Sequence, residues 1–310
     1  MSQNSKIDIS NIKEIHIEPT SLCNAECPQC ARNILGEGLN PNIQLGSLDM
    51  DFFEATFNTD NIQNIDKIFF CGNVGDPCAT PDLLKIIQYL KILKKDLVIG
   101  LNTNASLKRP EWFAQLGKIL SGPLDYVVFS IDGLEDTNHI YRRNTNFQKI
   151  MDNARAYIAT GASAHWDMLV FEHNRHQVEQ CQQLARAMGF RWFRSKQTDR
   201  WDIYPQAVIR PAEQYVKPDY IHVAIECEKN RDSSIFIDYT GKIWPCCHMA
   251  EAYMNSIGQE LHRDMLKYNN DELMTEYQNR LITQPFYICR RACGQQTSKR
   301  SQWKQQIQLS

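Results

Sequence analysis

Several protein classes are excluded by what the sequence has little of. None of its 310 residues lies in an apolar run approaching the length of a bilayer span, which argues against a helical membrane protein. Met1 to Ser10 is polar and lacks the apolar core of a secretory signal. Charge of one sign is not in excess: the formal net charge is −2, so no basic field favours nucleic acid as a partner. There is no internal repeat and no low-complexity segment. What remains, with 43% hydrophobic and 23% charged residues, is an ordinary globular composition. The length allows one large α/β unit plus a smaller one.

Cysteine, by contrast, is plentiful, with eleven in the chain. Without a secretion signal, a cytoplasmic location and metal ligation explain them better than disulfides. They are also grouped: Cys23, Cys27 and Cys30 lie within eight residues, and Cys227, Cys246, Cys247, Cys289 and Cys293 lie in the last third.

The first two thirds alternate strand-like and helix-like segments. Strands are expected at Glu14–Thr20, Lys67–Cys71, Leu97–Thr103, Tyr126–Asp132, His165–Phe171 and Arg191–Lys196. Helices are expected at Met50–Asn58, Pro81–Lys95, Pro110–Leu120, Phe147–Ala159 and His176–Met188, the last closed by Gly189 as a C-cap. Six β/α units in series imply a parallel sheet, open or curled into a partial (β/α)6 TIM-type barrel, over residues 1–205. Pro205, Pro211 and Pro218 punctuate a connector. Residues 206–310 should form a small unit, with a hairpin of Ser234–Tyr239 and Lys242–Trp244 around Gly241 and a helix at Asp271–Leu281.

Cys23, Cys27 and Cys30 form C-x3-C-x2-C directly after the first strand, where α/β folds place their sites. Thiolates are the preferred ligands of iron–sulfur clusters, and three ligands on a four-iron cluster leave one iron open. A zinc site or free thiols are the alternatives, and zinc lacks a fourth ligand nearby. The loop Pro19-Thr20-Ser21-Leu22-Cys23-Asn24-Ala25-Glu26-Cys27-Pro28-Gln29-Cys30 resembles that of the radical S-adenosylmethionine (SAM) superfamily. Gln29 departs from that pattern, which carries an aromatic there. The resemblance implies a SAM-binding 4Fe–4S cluster, reductive cleavage of SAM to a 5′-deoxyadenosyl radical, and a one-electron donor such as flavodoxin or ferredoxin.

Further segments fit the resemblance. Cys71-Gly72-Asn73-Val74-Gly75-Asp76-Pro77 is similar to the family's Gly-Gly-Glu-Pro segment, which implies SAM-binding roles for Gly72, Asn73, Gly75 and Asp76. Asn102-Thr103-Asn104 is similar to its Thr-Asn-Gly segment. Alternation turns Ser130 and Asp132 into the barrel, along with His16 and Glu18 on the first strand. The resemblance matches Ser130 and Arg142, with Arg143 as alternative, to contacts with SAM. Glu18, Asp167, Arg194 and Lys196 are substrate candidates, against structural roles as strand ends or an ion pair. Cys71, Cys78 and Cys181 read as packed thiols.

The later cysteines resemble the auxiliary-cluster extension of radical SAM enzymes called Twitch, a shorter relative of SPASM. That implies a second 4Fe–4S cluster on Cys227, Cys246, Cys289 and Cys293, with Cys247 able to replace one of the last two and a four-cysteine zinc site as the alternative. For function, a small polar substrate (a sugar, aminosugar or nucleotide) is favoured by the basic Arg194, Lys196 and Arg200. A peptide side chain is the second reading, against which stands a first strand that begins near Lys13 with no leader-binding segment before it. A non-catalytic metal-stabilised scaffold is the third, and it has no use for an open iron.

Overall fold

The structure is a computed structural model that describes residues 12–198, 200–202, 209–213, 225, 227–254, 270–280, 284–294 and 303–309. Six strands pair in parallel in sequence order: β1 (Glu14–Ile17), β2 (Lys67–Phe70), β3 (Val98–Thr103), β4 (Tyr126–Ser130), β5 (Ala164–Leu169) and β6 (Trp192–Lys196). Between them run α1 (Met50–Thr56), α2 (Leu83–Leu93), α3 (Pro110–Ile119), α4 (Glu135–Tyr141), α5 (Phe147–Ile158) and α6 (Val178–Met188). Helical crossovers are what parallel pairing demands.

Period-two alternation sorts the strand residues. Ile15, Ile17, Ile68, Phe70, Ile99, Leu101, Val127, Phe129, Ile131, Trp166 and Phe193 all belong to the one large core beneath the helices. The opposite face is filled lower down by rings. His16 packs on Phe69 and Phe236, Phe69 on Tyr126, and Tyr126 stacks on His165 at 4.9 Å. Gly100 makes room for this layer, since a Cβ there would lie 2.5 Å from the Tyr126 ring. Burial lowers the His16 pKa to about 3, so its neutral ring donates from Nε2 to the Cys71 carbonyl at 2.9 Å. Above the rings, at the C-terminal strand ends, polar side chains begin.

The expected strands and helices are present with shorter ends, and Gly189 closes α6 in the left-handed conformation at φ 88°. The helical periodicity of the sequence does not reveal α4, a seven-residue helix that delivers Tyr141 and Arg142 to the strand ends. The rest of the described chain comprises α7 (Glu228–Arg231), β7 (Ser234–Ile237), β8 (Ile243–Trp244), α8 (Cys247–Met254), α9 (Asn270–Arg280), α10 (Tyr287–Cys293) and β9 (Trp303–Gln308). The expected hairpin is β7–β8, turned at Gly241 (φ 81°). Asp238 ties the turn, accepting from the backbone N–H of Thr240 and Lys242 and from Trp244 Nε1.

This hairpin is continuous with the barrel sheet, because β7 pairs in parallel with β1. At the other edge β9 pairs antiparallel with β6. The result is one open, mostly parallel sheet of nine strands, β8-β7-β1-β2-β3-β4-β5-β6-β9, the curled sheet of a partial TIM-type barrel. A second hydrophobic core, with Phe236, Trp244, Met249, Leu273, Phe286 and Ile288, forms under α8, α9 and α10. Most of the proline-punctuated connector lies outside the described residues, as does Leu281. Among the described residues no helix is long and apolar enough to cross a membrane.

Candidate active site

The cysteine loop leaves β1 and is held by its own polar residues. Ser21 Oγ donates to Gln44 O and accepts from Gly46 N, while Arg32 donates to Ser21 O at 2.6 Å. So braced, Cys23, Cys27 and Cys30 line one cavity of about 460 Å³ at the strand ends. Burial raises the pKa of all three thiols, that of Cys27 to about 11, so these groups are neutral until a cation draws off the proton. Asn104 Nδ2 lies 3.6 Å from Cys23 Sγ, and the Cys30 thiol faces Asn73 O at 3.8 Å.

The glycine-rich segment after β2 forms a second wall, with Gly72, Asn73, Gly75 and Asp76 all on the cavity. The glycines are needed for a reason other than approach of a ligand. A Cβ on Gly72 would lie 2.2 Å from Gly75 O, and one on Gly75 would lie 1.7 Å from Thr20 O, so this loop packs backbone to backbone on the cysteine loop. Asp76 is buried and knots the corner, accepting from Cys78 N, Thr103 Oγ1 and Asn104 N. Of the third-strand triplet, Asn102, Thr103 and Asn104 all line the cavity.

Glu18 needs correction as a substrate candidate. It points inward as alternation requires, but it is fully buried and absent from the cavity lining. Its Oε1 accepts from Val74 N at 2.7 Å and Gly75 N at 3.1 Å, so it clamps the glycine-rich loop. Burial raises its pKa to about 8. Ser130 lines the cavity, whereas Asp132 lies behind it. Asp132 accepts from Arg142 Nε at 2.7 Å and Leu169 N at 2.6 Å, and thereby aims the guanidinium at the cavity. Arg142 is on the wall; Arg143 is not, and donates to Gly36 O. Asp167 is on the wall but grips Arg194 in a two-pronged ion pair at 2.6 and 2.9 Å, which removes Arg194 from the cavity lining. Lys196 lines it.

Three polar residues on this wall, His248, Glu251 and Arg291, were beyond the reach of motif reasoning as site residues, and Arg200, which the sequence offers as a basic residue suited to a polar substrate, joins them there. Arg200 donates to Gln29 O at 2.8 Å and pairs with Glu251 at 3.7 Å, linking the cysteine loop to α8. Asn73 Nδ2 makes a second link, to Cys247 O at 2.9 Å. The only sequence signal for His248 and Arg291 is proximity to the later cysteines: His248 follows Cys247, and Arg291 sits between Cys289 and Cys293. Cys71 also lines the cavity, its pKa raised by burial to about 12, while Cys78 and Cys181 are packed in the main core.

The later cysteines gather beside this cavity. Cys227, Cys246, Cys289 and Cys293 line one apolar cavity with Ile225, Met249, Tyr277 and Ile288. Cys289 and Cys293 reach it together because they are four apart on α10. Cys247 is not in its lining. Cys227 is acidified to about 5, chiefly by a hydrogen bond from Cys293 and also by Tyr277, whose hydroxyl lies 3.0 Å from its sulfur. His248 and Ala292 line both cavities, so the two share a wall.

Two observations bear on what these cavities fit. Among the described residues no three His, Cys, Asp or Glu side chains converge as around a single metal ion; the thiols of the first cavity stand around open space, whereas in the second Cys227 and Cys293 hydrogen-bond to each other. On the first cavity's wall, Asn102 Oδ1 and Gln197 Nε2 are buried without a hydrogen-bond partner, an acceptor and a donor set for a ligand. The volume is within the roughly 300–1,000 Å³ usual for small-molecule sites. Three thiols on one loop, Cys23, Cys27 and Cys30, with a polar cavity beside them, fit an iron–sulfur cluster with a small molecule on its open side; Cys71, the fourth thiol on this wall, comes from the end of β2 rather than from that loop.

A curled, mostly parallel sheet with such a loop at the end of its first strand defines a class, the iron–sulfur enzymes that work on a ligand held at the cluster. The chain belongs to the radical SAM superfamily, whose pattern matches residues 17–185, more than half of its length. A protein of Pyrococcus furiosus described as a tungsten-containing aldehyde ferredoxin oxidoreductase cofactor-modifying protein is 25% identical over 130 residues, 42% of this chain and 33% of that one. Streptococcus suis SuiB bound to its precursor peptide SuiA has a similar fold, with TM-score 0.54 at 13% identity over 94% of this chain and 69% of that chain. So does anSMEcpe with bound SAM, with TM-score 0.53 at 14% identity over 84% of each chain. The chain spans a third of the Pyrococcus relative and 61% of SuiB in its SAM complex.

Proposed function

We propose that Cys23, Cys27 and Cys30 hold the SAM-binding 4Fe–4S cluster, and that the enzyme abstracts hydrogen from a small polar substrate. A second 4Fe–4S cluster is assigned to Cys227, Cys246, Cys289 and Cys293, in a Twitch-like unit over residues 206–310 that follows a barrel unit over 1–205. The observation that carries this reading is the pair of thiol-lined cavities sharing His248 and Ala292 as a common wall. Bound there, the cluster and SAM would supply radical chemistry: one electron from a flavodoxin- or ferredoxin-type donor would cleave SAM to methionine and a 5′-deoxyadenosyl radical.

The chain's own residues divide the work. Gly72, Asn73, Gly75 and Asp76 present a closely packed loop to SAM, held in place by Glu18 from behind. Asn102 Oδ1 accepts from SAM, and Ser130 and Arg142 complete the wall, Arg142 being aimed by Asp132. The substrate lies against Lys196, Arg200, His248, Glu251 and Arg291, a mixed-charge surface suited to hydroxyl, amino or anionic groups. Asp167 orders this side by fixing Arg194.

The test is twofold. Anaerobically reconstituted protein should hold about eight irons per chain if both clusters are 4Fe–4S. Deuterated polyols, aminosugars and nucleosides should transfer deuterium into 5′-deoxyadenosine, while short peptides do not. About four irons with bound zinc would remove the auxiliary cluster, and deuterium transfer from peptides alone would replace the small substrate with a peptide.

A further inference from the structure

Tyr277 is the hydroxyl-bearing residue among the described residues that line the second cavity. Its oxygen lies 3.0 Å from Cys227 Sγ. The ring is fixed: Tyr277 and Leu273, four apart on α9, are both buried in the second core. A metal-bound thiolate carries no proton, so in a loaded site the phenol must be the donor and the sulfur the acceptor. The surroundings, Ile225, Met249 and Ile288, are apolar, and a hydrogen bond there acts at low dielectric.

We propose that Tyr277 donates a hydrogen bond to Cys227 Sγ and so raises the reduction potential of a cluster on Cys227, Cys246, Cys289 and Cys293. This rests on the reading of that cavity as a cluster site. A donor on a thiolate draws electron density from sulfur and favours the reduced cluster, which carries one more negative charge. Tyr277 is thus a positioning residue that acts through Cys227 and touches no substrate.

The experiment uses the full chain, reconstituted anaerobically and titrated redox-wise with EPR detection. Wild-type iron content comes first: about four irons would refute the cavity as a cluster site, independently of Tyr277. With both clusters loaded, Tyr277→Phe should move the midpoint of the auxiliary cluster to more negative potential and leave that of the first cluster in place. An unmoved midpoint overturns the proposal. If the variant loses its cluster, a second variant decides: because Lys229 and Asn230 also donate backbone hydrogen bonds to Cys227, 3-fluorotyrosine placed at position 277, a stronger donor of the same shape, should move the auxiliary midpoint to more positive potential, and an unmoved midpoint overturns the proposal equally.

Discussion

Gly75→Ala should disable SAM cleavage without removing any functional group. The added Cβ would stand 1.7 Å from Thr20 O, 2.6 Å from Thr20 C and 3.1 Å from Ser21 Cα, all backbone atoms that no rotamer change can move. Real Cβ contacts essentially never fall below 3.0 Å, so the glycine-rich and cysteine loops would have to part by about 1.3 Å or more. That separation pulls on the Asp76 N to Leu22 O bond of 2.8 Å and on the Glu18 clamp at Gly75 N. Overpacking of this kind costs about 1–3 kcal/mol in stability, and a misplacement of about 1 Å at a reacting centre costs on the order of 100-fold in rate. The control is Gly46→Ala in the neighbouring loop, whose Cβ would meet nothing within 4 Å. Urea midpoints and the rate of 5′-deoxyadenosine formation should both fall for the first variant and stay near wild type for the second. A Gly75→Ala enzyme with wild-type midpoint and rate would refute the argument that these two loops are packed on each other to shape the SAM site.

Other outcomes follow from single contacts. Cys246→Ala should drop the iron content from about eight to about four per chain, whereas Cys247→Ala, outside the second cavity, should leave it unchanged; the reverse pattern would reassign the ligand. Glu18 has a folded pKa raised by burial to about 8, above its ordinary 4.5, so between these values the folded state keeps a proton that the unfolded state has released. Stability should therefore fall as pH rises through that window, by at most about 1.4 kcal/mol per unit, and level off above it. Glu18→Gln keeps an acceptor for Val74 N and Gly75 N but cannot titrate, so its urea midpoint should lose this slope; parallel pH profiles would contradict the clamp as drawn.

The first two thirds of the fold were legible because each strand is buried on its helix-facing side and each helix carries an apolar stripe. Ile15, Phe70, Leu101 and Phe129 announce the core by period alone. The polar-edged β9, with Lys304, Gln305, Gln306 and Gln308, carries no such signal, and its place is set by pairing with β6. Among site residues, the cysteine sets and the inward turn of Glu18 and Ser130 follow from spacing and alternation. The role of Glu18 does not, because its partners are backbone N–H groups 56 and 57 residues away. Arg194 and Lys196 look equivalent in sequence, yet Asp167 on the adjacent strand takes up the first and leaves the second on the cavity wall. His248, Glu251 and Arg291 sit on helices whose faces are decided by the second core.

The central claim is that Cys23, Cys27 and Cys30 build a SAM-cleaving centre, and formation of 5′-deoxyadenosine tests it most directly. Reconstituted wild type given SAM and dithionite should release 5′-deoxyadenosine and methionine, and Cys23→Ala, Cys27→Ala and Cys30→Ala should each release none. A wild type that cleaves no SAM with its first cluster loaded, or a variant lacking one of these thiols that still cleaves it, would contradict the account.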